Sequence, residues 1–170
     1  KKIYNNFECI QFHSSDLPYG RGGSPIQNQI LMGIKNTKIT AFKVTKELDG
    51  GPIVLKKPFK LRGTAQEIYI DMEKISLKMI SKISKMKKLI YKKQKGKVLI
   101  FKRRLENQSE IKTKKISSTK KLYDFIRMLD AENYPKAFIK LNRFIGRLSN
   151  AKYKNQKLVA TIEFIKNAKK

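Results

Sequence analysis

Runs of apolar and polar residues divide the first part of the chain into a strand, a loop and a helix. Residues 9–12 form an apolar run that predicts the end of a buried strand, and Pro25 followed by residues 26–32 predicts a helix. Residues 13–25 between them hold the one histidine of the chain and three glycines. This order is how α/β proteins bring backbone N–H groups to a ligand, although a lone histidine among glycines is more often structural.

Two further strands are predicted around a tight turn. Residues 38–44 alternate and are rich in β-forming side chains, and the glycine-containing segment 46–52 interrupts them. The strand pattern resumes at 53–55 and runs toward 58–61.

The longest periodic segment predicts a helix that begins at a capping box. Thr64 and Glu67 have the spacing at which each side chain satisfies the other's exposed backbone N–H group. The apolar residues behind them step by three or four, which predicts a core-facing stripe; a methionine-rich binding surface is the weaker alternative. The stripe consists of Ile68, Met72, Ile75, Met79, Ile83, Met86 and Ile90.

The last elements are short. Residues 98–101 predict a strand, and the polar, lysine-rich span 105–118 predicts a linker or domain boundary. Thr119 is placed to cap the helix that follows. Three short strands of a small β-unit are then predicted, at 137–139, 143–145 and 158–162.

Composition limits the class of protein. The chain has 170 residues, enough for a real core in one or two domains, and its 40% hydrophobic content does not suit a disordered chain. The single cysteine, Cys9, excludes an internal disulfide and makes a reducing, cytoplasmic location the default expectation. No apolar run approaches the roughly 20 residues that cross a bilayer, so no membrane partner is expected.

The formal net charge of +27 invites a nucleic-acid interpretation. We favour a lysine-rich solvated surface instead, because the positive charges are mostly lysines spread along the chain, whereas base-edge and bidentate phosphate recognition favours arginine. Weak, salt-sensitive attraction to polyanions is still expected. The arginines are Arg21, Arg62, Arg103, Arg104, Arg127, Arg143 and Arg147.

Several motifs resemble, in order, those of formyltransferases that use 10-formyltetrahydrofolate. Residues 13–18, HSSDLP, and 21–26, RGGSPI, are similar to the family's HxSLLP…RGxxPI signature. Residues 48–53, LDGGPI, are similar to its LDxGDI segment. The 36 positions that separate His13 from Asp49 also match the family's interval between its essential histidine and aspartate.

The resemblance covers most of the chain. Residues 101–111 are similar to the family's RRTPxDSxI run, and residues 122–138 to the helix and YPGAF turn that open its C-terminal domain. It implies an α/β fold: the C-terminal part of a Rossmann-like formyltransferase domain in 1–104, then a small OB-like β-barrel domain in 105–170. The family's opening βαβ units have no counterpart before Lys1, so an N-terminally truncated portion of a longer enzyme is expected, with part of the folate pocket missing.

Residue roles follow from the resemblance. His13 would be the acid/base group that takes a proton from the attacking amine, and Asp49 would orient it or stabilise its charge. The amide at position 11 would donate to the tetrahedral oxyanion; the family has asparagine there, whereas Gln11 is one methylene longer. No metal is implied. The 10-formyltetrahydrofolate co-substrate would be lined by Tyr19, Gly20, Arg21, Gly22 and Gly23 and by the backbone of Thr45, Lys46, Glu47 and Leu48.

The acceptor amine is left open between two substrates. Family acceptors include the methionine of initiator methionyl-tRNA and the amino groups of nucleotide-linked sugars. The segments 101–111 and 134–138 look more like the sugar-modifying members, which favours a nucleotide-linked amino sugar, with methionyl-tRNA as the alternative. An inactive, basic nucleic-acid-binding module is the alternative of another class, because Gln11 departs from the family pattern and the charge is high.

Overall fold

The computed structural model describes residues 2–112 and 116–167, which belong to two units of mixed α/β structure. The first unit groups residues 1–61 with 69–103, and the second groups 62–68 with 104–170. The α/β class expected from the sequence is therefore confirmed. In chain order the elements are α1 (Lys2–Asn6), β1 (Ile10–His13), β2 (Tyr19–Gly22), α2 (Pro25–Leu31), β3 (Asn36–Lys43), β4 (Ile53–Lys60), α3 (Ala65–Ser84), β5 (Leu99–Phe101), a 3₁₀ helix (Glu106–Ser109), α4 (Thr119–Arg127), β6 (Ala137–Leu141), β7 (Phe144–Lys154) and β8 (Lys157–Lys166).

The first unit contains two small sheets. Strands β1, β3 and β4 form an antiparallel sheet in the order β1-β3-β4, and β2 pairs in parallel with β5. Gln11 lies opposite Phe42 and His13 opposite Thr40. Because alternate residues of a strand share a face, Gln11 and His13 lie on the same side of β1. The buried apolar residues of this unit include Leu17, Ile26, Ile30, Ile39, Ala41, Phe42, Phe59, Met79 and Phe101.

The segment between β1 and α2 differs from the predicted loop. β1 extends to His13 and is half-buried rather than buried, with Gln11 exposed. The glycine-rich segment forms strand β2 instead of a loop. A Cβ on Gly22 would lie 2.4 Å from the carbonyl oxygen of Phe101, and its φ is +93°, so a glycine is required where β2 comes this close to β5.

The capping box at α3 is confirmed, but the helix is shorter than predicted. Thr64 N–H donates to Glu67 Oε2 at 2.8 Å, and Glu67 N–H donates to Thr64 Oγ1 at 3.3 Å. The stripe from Ile68 to Ile83 is buried or half-buried, whereas α3 ends at Ser84 and leaves Met86 and Ile90 outside it. Like charges one turn apart disfavour further helix at this end. These charges are Lys82, Lys85, Lys87 and Lys88.

The second unit contains a three-stranded antiparallel sheet, in the order β6-β7-β8. All three predicted strands are present and longer than predicted, although Arg143 lies in the turn before β7 rather than in a strand. The expected linker 105–118 is not a free connection throughout, because Ile111 N–H donates to the Phe138 carbonyl at 2.7 Å; its residues 113–115 lie outside the described residues. The buried apolar residues of this unit are Ala65, Ile68, Ile126, Met128, Leu129, Ala131, Ala137 and Ala151.

The cap of α4 was predicted one residue too late. Ser118 has extended backbone geometry and its hydroxyl accepts a hydrogen bond from Lys121 N–H at 3.2 Å, so Ser118 is the N-cap. The Thr119 hydroxyl donates instead to the carbonyl of Gln156 at 3.0 Å. Two adjacent hydroxyl residues make this choice invisible in the sequence.

Of the helices in the described ranges, none has the length and apolar character needed to pass through a bilayer.

Asp130 holds several parts of the second unit together. Its carboxylate accepts hydrogen bonds from Lys136 Nζ at 2.6 Å and from Asn150 N–H at 2.7 Å, and its carbonyl accepts from Gln66 N–H at 3.0 Å. Asp130 is buried, and Asn150 has a positive φ of 52° where the pairing of β7 with β8 is irregular. The carboxylate therefore supplies the bond that the sheet cannot give Asn150.

We predict that Asp130→Ala lowers the free energy of unfolding by about 1–3 kcal/mol, because the N–H group of Asn150 loses its acceptor. Urea denaturation monitored by circular dichroism measures the change. The matched control is Asp71→Ala on the exposed side of α3, whose ion pair with Lys74 is long, at 3.9 Å. Equal stability losses in the two variants would contradict the assignment.

Candidate functional site

His13 and Asp49, far apart in the sequence, meet in the first unit. His13 closes β1, and Asp49 lies in the connection between β3 and β4. The His13 Nδ1 atom is 3.7 Å from Asp49 Oδ2, and the two residues are only 7% and 9% exposed. The predicted acid/base pair is thus brought together in a largely buried place, where electrostatic interactions are stronger than in water.

The imidazole of His13 has a defined donor and acceptor atom. Its Nε2 atom lies 2.7 Å from the carbonyl oxygen of Gly20, which also accepts from the Ser15 hydroxyl at 3.1 Å. Because a carbonyl only accepts, Nε2 must carry the hydrogen. In the neutral ring Nδ1 then keeps its lone pair, and 3.7 Å to Asp49 is too long for a hydrogen bond. Nδ1 is therefore the atom that can take up a proton.

Asp49 is held in an uncommon conformation that aims its carboxylate at the glycine-rich strand. Its φ of +47° falls in the left-handed region, and its Oδ2 accepts a hydrogen bond from Gly22 N–H at 2.8 Å. Its Oδ1 lies 3.5 Å from the amide nitrogen of Gln11. The turn is tight, since a Cβ on Gly51 would lie 1.7 Å from the carbonyl oxygen of Lys43. Only glycine fits at position 51 without moving the backbone.

The two segments predicted to line the folate site lie beside this pair. An ion pair between Arg21 Nη1 and Glu47 Oε1 joins them. The Gly22 N–H group donates to Asp49 and the Gly23 N–H group to the Phe101 carbonyl, so both hydrogen bonds hold the unit itself together. The remaining residues of the two segments are buried Gly20, half-buried Tyr19 and Thr45, and exposed Lys46 and Leu48.

A buried polar network supports the segment after His13. Gln29 on α2 donates to the Ser14 carbonyl at 2.8 Å and accepts from the Thr37 hydroxyl at 2.6 Å. The Thr40 hydroxyl on β3 donates to the Ser15 carbonyl at 2.7 Å. These residues were missed in the sequence, because each contact joins different elements and the residue types carry no distinctive spacing.

Gln94 is the other residue that the sequence did not reveal. It lies in the run KKQK at 92–95, which is conspicuous only for its charge. Its side chain donates to the carbonyls of Asp49 and Gly51 and accepts from the guanidinium of Arg21. A single uncharged amide among lysines was the one available signal.

Asp16 forms a second charged cluster, on the segment that follows His13. Lys56 Nζ bonds to its Oδ1, and Lys38 Nζ lies 2.9 Å from its Oδ2. Burial opposes ionisation of Asp16, but the hydrogen bonds and charges of Lys56 and Lys38 outweigh it and lower the pKa of the carboxyl below its ordinary value. The cluster fixes the chain just after the histidine.

A cavity of about 710 Å³ opens in the first unit. Its apolar side chains and four lysines suit a ligand that combines an apolar part with negative charge. Within the described residues, no group of three or more His, Cys, Asp or Glu side chains could hold a metal ion. The cavity is lined by Leu17, Ile53, Val54, Leu55, Lys56, Lys92, Lys93 and Lys95.

Comparisons with known proteins point to one family. A family model of the methionyl-tRNA formyltransferase C-terminal domain matches residues 106–165. The solved methionyl-tRNA formyltransferase from Clostridium thermocellum is 45% identical, with a TM-score of 0.92, over 98% of this chain and 73% of that one. A 4-N formyltransferase from Francisella tularensis shares the fold, with a TM-score of 0.67 and 21% identity over 83% of this chain and 60% of that one.

Curated relatives are longer than the chain. Methionyl-tRNA formyltransferase from Buchnera aphidicola subsp. Acyrthosiphon pisum (strain Tuc7) is 30% identical over 127 residues, which is 71% of this chain but 40% of that protein. The chain therefore spans less than half of that relative.

We predict that neutral His13 is protonated at Nε2 and not at Nδ1, because Nε2 donates to the Gly20 carbonyl. The chain has a single histidine, so long-range ¹H–¹⁵N correlation spectra of the labelled protein contain one imidazole. A spectrum of the same sample in urea is the control, in which the tautomers mix. An Nδ1–H tautomer in the folded protein would contradict the assigned geometry.

We predict that Asp16→Asn lowers stability in a pH-dependent way. Because the pKa of Asp16 is lowered on folding, its contribution is fully present above the ordinary carboxyl pKa and is lost as the pH falls through the lowered value. The exposed setting limits the loss to about 1 kcal/mol at pH 7. Urea midpoints at pH 7 and pH 3 measure it, with Asp71→Asn as the control. A stability difference that persists undiminished at pH 3 would contradict the ionic origin.

Proposed function

Because this chain belongs to the methionyl-tRNA formyltransferase family, we propose that it moves a formyl group from 10-formyltetrahydrofolate to a primary amine. The observation that carries the proposal is the buried His13–Asp49 pair, with Nδ1 3.7 Å from the carboxylate. A base beside a fixed negative charge is what deprotonation of an attacking amine requires. The activity is proposed for the whole protein, whose relatives extend beyond this chain.

In this proposal His13 accepts a proton from the amine and later gives it to the departing folate nitrogen. Its Nδ1 takes a proton from the amine as the amine nitrogen bonds to the formyl carbon, and the carboxylate of Asp49 stabilises the imidazolium that results. The Nε2–H bond to Gly20 keeps the ring in place during this step. The collected proton is the one that the departing folate nitrogen needs when its bond to the formyl carbon breaks, so the amine loses one hydrogen and the folate gains one.

Gln11 is proposed to donate its amide N–H to the oxyanion. It shares a face of β1 with His13, and its Nε2 atom reaches to 3.5 Å from Asp49 Oδ1. Its side chain is exposed, so a substrate can reach the amide.

The folate co-substrate is proposed to lie along the segments 19–23 and 45–48. Leu48 supports this, because 60% of this apolar side chain is exposed beside the buried pair, and a flat heteroaromatic ring would cover it. Exposed Lys46 suits the carboxylates of a folate tail. These residues fit the co-substrate in chemistry: they would bind and orient it, and it would supply the one-carbon unit.

The domain assignment is proposed on the same basis. Residues 1–104 would be part of a Rossmann-like catalytic domain, and residues 105–170 a C-terminal domain with an OB-like barrel. The family-model match over 106–165 and the three-stranded sheet β6-β7-β8 support the second assignment. A cytoplasmic location, expected from the single cysteine, stays a prediction.

Methionyl-tRNA is the acceptor that we propose. The expectation of a nucleotide-linked amino sugar is not confirmed, since the solved methionyl-tRNA formyltransferase is about twice as similar in identity as the solved 4-N formyltransferase. The lysines that line the cavity suit a polyanionic acceptor. The amino sugar remains an outcome of the test.

We predict that His13→Ala lowers kcat for formyl transfer by about 10²–10⁴-fold, the range expected for loss of a general base. The assay follows formylation by the full-length protein with 10-formyltetrahydrofolate, offered methionyl-tRNA or a nucleotide-linked amino sugar. The control is Lys78→Gln, which removes an exposed charge on α3 and should keep wild-type turnover.

Unchanged turnover in His13→Ala would remove His13 from the chemistry. Formylation of the amino sugar but not of methionyl-tRNA would overturn the proposed acceptor. If the wild-type protein formylates neither but binds RNA of any sequence in a salt-dependent way, the inactive basic module is the correct function.

A further inference from the structure

We propose that Gln94 is the positioning residue of this site: its one amide clamps the turn that carries Asp49 and, at the same time, the guanidinium of Arg21. The inference rests on the proposed formyl transfer only for its effect on rate. That Gln94 holds the turn and the guanidinium follows from contacts within the first unit and does not depend on the proposed reaction.

The nitrogen end of the amide holds the turn. Gln94 Nε2 donates to the carbonyl of Asp49 at 2.8 Å and to the carbonyl of Gly51 at 2.8 Å. These two carbonyls flank Gly50, so both N–H bonds of the amide are used to fix the backbone on either side of one residue. Asp49 has a positive φ, and such a conformation persists only where surrounding contacts hold it.

The oxygen end of the amide holds Arg21. Gln94 Oε1 accepts from Arg21 Nε at 3.1 Å and from Nη2 at 2.8 Å. Arg21 is only 7% exposed, and its Nη1 pairs with Glu47. A buried guanidinium is costly unless its N–H groups find acceptors, so the side chain at position 94 must accept as well as donate.

Only an amide of this length satisfies both ends. A glutamate at position 94 would still accept from Arg21, but its oxygens would face the carbonyls of Asp49 and Gly51 with no hydrogen to donate. A methionine of similar length would lose both functions. A glutamate therefore releases only the turn, whereas a methionine releases both the turn and Arg21, so the two variants distinguish the two functions of the amide.

The turn position sets the geometry of the reacting pair. The carboxylate of Asp49 bonds to Gly22 N–H at 2.8 Å and lies 3.7 Å from His13 Nδ1, so a shift of the turn moves it relative to both. A displacement of about 1 Å in such a site can cost roughly 100-fold in rate. Arg21 and Glu47 lie in the two segments assigned to the folate, so loss of the arginine clamp should affect co-substrate binding instead.

The test compares Gln94→Glu with Gln94→Met in the full-length protein. For Gln94→Glu we expect kcat to fall about 10- to 100-fold, because the turn is released, with little change in KM for the folate co-substrate. For Gln94→Met we expect the same fall in kcat and a raised KM. Lys97→Gln, an exposed neighbour on the same segment, is the matched control and should leave both constants unchanged.

A second readout does not depend on activity. The Gly22 amide hydrogen is bonded to Asp49, so its exchange rate measured by NMR reports whether the carboxylate is held. We expect exchange at least about tenfold faster in both Gln94 variants, with the amides of β3 unaffected. Should Gln94→Met fail to fold, Gln94→Glu still decides.

Wild-type kcat together with unchanged Gly22 exchange in Gln94→Glu would overturn the proposal. Faster Gly22 exchange in a protein whose wild type transfers no formyl group would uphold the clamp and reject the proposed function. Faster exchange with wild-type kcat would show that the clamp does not position the reacting pair, and would overturn its catalytic role.

Discussion

A buried carboxylate must have its oxygens bonded, and the first unit depends on this requirement at Asp49. The Gly22 N–H group meets one oxygen at 2.8 Å, and the Gln11 amide approaches the other. That bond joins β2 to the connection between β3 and β4, and it places the negative charge beside His13. The same hydrogen bond therefore compensates the burial of Asp49 and aims its carboxylate.

Close approach of backbone segments makes this arrangement achievable. Gly22 lets β2 touch β5, and Gly51 lets the turn fold back on Lys43, where a Cβ would overlap the carbonyl oxygen. With two backbones this near to each other, short polar side chains suffice to bridge them. In the second unit, buried Asp130 likewise bridges two segments, because its carboxylate accepts the N–H group of Asn150 at the irregular point of the sheet.

Much of the secondary structure was predictable, because it depends on residues that are close together in the sequence. The capping box of Thr64 and Glu67, the strand pattern and the stripe that begins at Ile68 all depend on neighbours within a few residues, and the structure confirms them. Prediction failed where neighbouring residues offered equal alternatives, as at Ser118 and Thr119, or where helical periodicity continued past Ser84 into a lysine-rich end. It also failed at β2, whose strand exists because β5 lies beside it.

The order of residues along the chain was enough to show a lone histidine, an aspartate 36 positions away and glycines around both, in a pattern that resembles one family. The folded structure was needed to show that Nδ1 is the His13 nitrogen with the free lone pair, and that Gln94, 45 residues beyond Asp49, bonds to the turn that carries it. Distance along the chain explains this difference. Periodicity and capping act over a few residues, whereas a hydrogen bond across the fold depends on where both backbones finally lie.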